Sequence, residues 1–214
     1  MKLVVAIAVL LAPAVSAFSQ EAETYTVEIL NEPAPADIAG PIRAELNTTG
    51  LRVKDPGGIL CDAWFRRTIP KEAEQGIGRS YPQLPDRALL GAIRVPGKMH
   101  DNRHNPIPPA IYVVRHGLQP QDGNHVGSAD YIDFALFLNA KSDRSVDGGY
   151  ASSMDMIQKS IADGGGGHPM VFALMPPQSS TQPSMVRNQR GHWVLETKIG
   201  DMVLAMVVVG VYEH

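Results

Sequence analysis

Apolar and polar positions alternate with a period of two along much of this chain. Residues 25–30 set Tyr25, Val27 and Ile29 against Thr24, Thr26 and Glu28, the pattern of a strand with one buried face. The same reading predicts short strands at 42–46 and 51–53 around a turn at 47–50. Longer strands follow at 59–69, 88–95, 110–118, 131–138 and 170–174. Residues 193–198 and 202–212 read as a hairpin turning through Ile199, Gly200 and Asp201. The stretch 202–211 is apolar on both faces and rich in valine, so it is expected to be a central strand covered on both sides.

One segment departs from that period. Met154, Ile157 and Ile161 fall on one face of a helix, Ser152 or Ser153 is placed to cap it, and Gly164 to close it. Turn chemistry separates the elements. Residues 55–58 read Asp-Pro-Gly-Gly, residues 70–85 are polar and punctuated by proline, and residues 96–109 contain four prolines. The 70–85 stretch is expected to be a surface excursion. Eight to ten short strands and one short helix, with no internal repeat, predict an all-β, mainly antiparallel domain resembling a β-sandwich or jelly roll over residues 18–214.

The N-terminus does not belong to that domain. Met1 and Lys2 precede nine apolar residues, and Val15, Ser16 and Ala17 close the run with small side chains. This is the layout of a cleaved secretion signal, cut after Ala17, and it predicts a periplasmic or secreted protein of a bacterium. The apolar run is too short to span a bilayer, which takes about 20 residues. No later stretch is expected to cross a membrane as a helix.

Composition narrows the chemistry. A net charge of −3 offers no basic footprint, so nucleic acid is not an expected partner. The 20 glycines and 17 prolines fit many turns between short strands. The single cysteine, Cys61, rules out an internal disulfide and lies in an apolar strand beside Trp64 and Phe65, where a buried thiol is expected. The chain has no Gly-x-Ser-x-Gly, Ser-x-x-Lys or His-Glu-x-x-His motif, and the four glycines 164–167 read as a loop because no helix follows them to cradle a phosphate.

The densest polar stretch joins two of the best strands, from Arg115 to Asp133. Arg115 interrupts the apolar face of Ile111 and Val113, and Asp133 that of Ala135 and Phe137. Two readings stand: a buried ion pair between Arg115 and Asp133 across antiparallel strands, or salt bridges at the sheet rim. The loop between the strands offers oxygen ligands for calcium at Asp122, Asn124 and Asp130, without the spacing of an EF-hand. His116, His125 and His168 each sit at a strand end beside a glycine-bearing loop, and three imidazoles suit zinc or copper. His100 and His104 have ligand spacing, but in a loop. Cofactor candidates are therefore a divalent metal, calcium or zinc/copper.

The run from Ile111 through Arg115-His116-Gly117 and Asp122-Gly123-Asn124-His125 to Gly127, followed by Tyr131-Ile132-Asp133-Phe134 and a later His168-Pro169, resembles a segment of a family of uncharacterised secreted bacterial proteins of unknown function. The resemblance spans residues 88–175. It implies export and a β-rich fold, and carries no activity with it. The leading expectation is an exported β-sandwich that binds a small ligand, a metal ion or an envelope partner through its polar loop edge. A metal-dependent enzyme using His116, His125 and His168, with Asp122 or Asp133 as orienter or base, is the alternative. A purely structural envelope component is the third.

Overall fold

The computed structural model describes residues 24–74, 76–101, 103–120, 123, 131–179 and 181–211. The proposed signal, residues 1–17, lies outside them. Ten strands form one antiparallel sheet. In chain order they are β1 (Thr26–Leu30), β2 (Gly50–Asp55), β3 (Gly58–Phe65), β4 (Leu89–Val95), β7 (Ala110–Leu118), β8 (Asp133–Asn139), β9 (Val171–Met175), β10 (Ser184–Arg187), β11 (Trp193–Ile199) and β12 (Met202–Val209). Two short strands, β5 (Met99–His100) and β6 (Pro106–Ile107), pair apart from them. The sheet order is β1-β2-β3-β4-β7-β8-β9-β12-β11-β10.

The all-β class with one helix of appreciable length is observed. The strands lie in one continuous sheet that curls nearly into a barrel, so facing walls are joined through β9 instead of standing as separate layers. Its two edges approach each other. Tyr25, just ahead of β1, stacks on Trp193 of β11 with ring centroids 5.3 Å apart. Near-closure of this kind shields strand edges from unwanted pairing.

Alternation decides which side chains fill the curl. Val53, Cys61, Ala63, Ile93, Tyr112 and Val114 pack in one central cluster with Phe137, Phe172, Leu204 and Met206. Residues one position out of phase face outward and are covered by other parts of the chain. Trp64, Ala92 and Val113 lie under Ile38, Ile42 and Leu46, and Leu136 and Leu138 lie under Met156 and Ile157. β12 occupies a central position with both faces buried, as its apolar pattern requires.

Two expectations are corrected. Residues 42–46 are not a strand: Gly40–Glu45 form helix α1, started by Pro41 in its first turn, and Ile42 is its one buried residue. Proline's fixed φ suits that first turn. The 70–85 excursion is only partly on the surface: residues 70–74 and 76–78 are exposed, but Tyr81 and Leu84 are buried in the central cluster, so its last part enters the curl and plugs it. Helix α2 (Ser153–Gly164) forms where expected but takes in Gly164, the residue expected to close it. Ser152 accepts a hydrogen bond from the Asp155 N–H, and Gly165 closes the helix at φ +69°.

Candidate functional site

Three polar features stand out: a buried cluster inside the curl, clamps on its outer face, and a groove beside α2.

The inner cluster forms where β7 ends and β8 begins. The phase that puts Tyr112 and Val114 inside also points His116 inward, and Ala135 and Phe137 bring Asp133 to the same side. Register sets His116 opposite Ala135 and Leu118 opposite Asp133, so the two polar residues are diagonal neighbours on one face. His116 Nε2 lies 2.9 Å from Asp133 Oδ1, and Nδ1 lies 2.8 Å from the Pro85 carbonyl oxygen. Both ring nitrogens thus face an oxygen, one of a carbonyl and one of a carboxylate.

Asp133 also receives the plug. Its Oδ2 accepts from the Ser80 N–H at 2.7 Å and the Tyr81 N–H at 3.4 Å, and its Oδ1 from Arg79 Nε at 3.3 Å. Burial pushes the Asp133 carboxyl up. The hydrogen bond and charge of His116, with the Ser80 N–H and the Arg79 guanidinium, outweigh that and hold it below the usual carboxylate range. Further along the plug, the Tyr81 hydroxyl donates to the Met175 carbonyl at 2.8 Å and accepts from the Ala205 N–H at 2.7 Å, bridging β9 and β12.

On the outer face Arg115 is fully buried, and all five of its N–H groups are used. Nε and one Nη2 hydrogen bond Asp143 at 2.6 and 2.9 Å. The remaining bonds go to the carbonyls of Arg87, Ser145 and Val146. Arg115 and Asp133 therefore do not pair. Both strands carry them on opposite faces of the sheet, so antiparallel pairing cannot bring them together. Arg115 instead pins the 139–150 loop.

Two other buried acids do comparable work. Asp62 on β3 lies between Arg52 on β2 and Arg94 on β4 in register, at 2.7 Å from Arg52 Nε and 3.0 Å from Arg94 Nε. Burial pushes its carboxyl up, but the two guanidinium bonds bring it below the usual range. Glu196 on β11 accepts from the N–H groups of Gln178 and Ser179 at 2.6 and 2.8 Å and holds that loop. Sequence reading missed both. The available signal was the one that singled out Arg115: a charge interrupting an apolar strand.

The histidine reading fares differently. His116 spends both ring nitrogens inside the curl, whereas His168 lies outside it, exposed. A shared ion would need both on one side of the sheet. His125, Asp122, Asn124 and Asp130 lie outside the described residues. Among the described residues no group of three or more His, Cys, Asp or Glu side chains is placed to hold a metal ion. His104 Nε2 reaches the Gly210 carbonyl at 3.3 Å instead of joining His100 on an ion.

The groove lies between α2 and the outward side of β8 and β9, with a volume of about 450 Å³. Its middle is apolar, formed by Phe134, Met154, Ile157, Ile161, Val171 and Ala173. Register orders its ends. Phe134 pairs with Ala173 and Leu136 with Val171, so Tyr131 with Gln119 and Pro120 mark one end, and Gly167 with His168 the other. Arg103, Asn105 and Asp101 also line it. Asp101 is spent internally, accepting from the Arg103 and Asn105 N–H groups and from Asn105 Nδ2. The apolar stripe that predicted α2 is thus divided: Ile157 is buried, while Met154 is 47% exposed at the groove.

No family model, curated protein or solved structure matches this chain. No helix among the described residues is long and apolar enough to cross a membrane.

Proposed function

We propose that this protein is exported and acts as a binding module, taking a small ligand in the groove between α2 and β8–β9. The observation that carries this reading is the groove itself. Its volume falls in the range of small-molecule sites, and it combines an apolar middle with a few polar groups at its ends. The internal use of the buried charges supports it further. Arg115, Asp133, His116 and Glu196 have their polar atoms engaged in holding loops and the plug, and Asp62 in tying neighbouring strands, so these buried charges serve the fold. Export rests on residues 1–17, with their charged start, apolar run and small residues before the cut. The setting is then the periplasm or the cell exterior.

The test is saturable binding of Nile red, an uncharged dye that brightens in apolar surroundings. The exported protein is expected to bind it, and Met154→Glu, at an exposed helix position, is expected to abolish binding without changing the circular dichroism spectrum. A wild-type protein that leaves the dye dark would end this reading. For the address, N-terminal sequencing of the exported chain is expected to begin at Phe18.

A further inference from the structure

Resting on the binding reading above, we infer that the ligand of the groove is a single-chain aliphatic carboxylate, its hydrocarbon over Phe134, Ile157 and Ile161 and its carboxylate at His168. Apart from the Gln158 amide, the middle of the groove presents hydrocarbon and aromatic surface from α2, β8 and β9. Such a lining rewards an apolar chain in proportion to the area it covers. Gln158 aside, it offers no side-chain partner to polar groups along a ligand's length, and an unmatched buried polar group is costly. The ligand's polarity therefore belongs at an end.

The two ends differ. At the Tyr131 end and elsewhere in the lining, several polar residues are already committed. Asp101 accepts three hydrogen bonds from its own turn, and Arg103 and Gln119 are each engaged within the protein. At the other end His168 is exposed, lines the groove, and forms no hydrogen bond or ion pair to the described residues. Its imidazole N–H is open to solvent and can donate to a ligand there. Among the described residues the one acidic residue of the lining is Asp101, whose carboxylate is taken up by its own turn. A carboxylate head meets that donor in a charge-assisted hydrogen bond. The glycines 164–167 ahead of His168 add no side chain to crowd a head group.

The experiment compares decanoate with decanol as displacers of Nile red from the exported protein, using wild type and His168→Ala. Both are expected to displace the dye from wild type. His168→Ala is expected to weaken decanoate by about tenfold, the scale of one hydrogen bond to a charged group, and to leave decanol unchanged. If His168→Ala leaves the decanoate-to-decanol ratio as in wild type, the carboxylate assignment is overturned and the groove stands. If neither compound displaces bound dye, the aliphatic class is overturned. Failure of Nile red to bind wild type overturns the binding reading itself.

Discussion

Asp133→Ala is expected to be among the most damaging single changes in this chain. The carboxylate is fully buried and accepts from His116, Arg79 and the Ser80 and Tyr81 N–H groups. Its removal leaves the His116 ring and the Arg79 guanidinium without this buried partner and two N–H groups without an acceptor. Breaking a buried ion pair by deleting one partner costs about 3–5 kcal/mol. With a urea dependence of roughly 2 kcal/mol per molar, the unfolding midpoint drops by about 2 M. Fluorescence of Trp64 and Trp193 during urea denaturation reads that midpoint. Acid provides a second readout. The Asp133 carboxyl titrates lower in the folded chain than in the unfolded one, where it lies near about 3.9. As pH falls the unfolded chain takes up the proton first, so the stability Asp133 contributes is full above about pH 5 and is lost as pH drops through the unfolded value toward the folded one. Asp133→Ala is expected to lose less stability over that window than wild type. Asp62, also held low, keeps the variant's acid dependence from vanishing. A variant midpoint within about 0.3 M of wild type, or an unchanged acid profile, would refute the claim that this carboxylate holds the plug.

Gly148 sits at φ +75°, and an added Cβ would come within 2.8 Å of Arg115 Cζ and 2.7 Å of the Tyr150 ring. Gly148→Ala is expected to cost about 2 kcal/mol and to lower the melting temperature by about 6 °C, and an unchanged melting curve would show that the loop tolerates the shift. Cys61 is fully buried, and burial pushes its thiol up, with Asp62 adding to the effect. A thiol-reactive probe is therefore expected to label the native protein only as fast as it unfolds, and immediate labelling without denaturant would contradict that burial.

The sequence by itself determined the element class and the facing of most residues, because a period of two is local information. The strand at Ala110–Leu118 was legible to its ends, as were the hairpin of β11 and β12, the doubly covered β12 and the burial of Cys61. It marked Arg115 and Asp133 as charges interrupting apolar faces, but the pairing it offered between them does not form, because they lie on opposite faces of the sheet. What it could not supply was their partners. Those come from Asp143 in a loop 28 residues on, and from Arg79, Ser80 and Pro85 in a segment that composition marks as surface. A buried charge takes whichever counter-charge the chain path delivers to its face, and that path is a property of the whole sheet. Closure is the same kind of quantity. Alternation is identical in a sandwich and a barrel, and only the accumulated twist and pairing of ten strands bring Tyr25 against Trp193. The groove follows from that curvature, because it exists where a straight helix lies across a curved sheet and leaves Met154 at its rim.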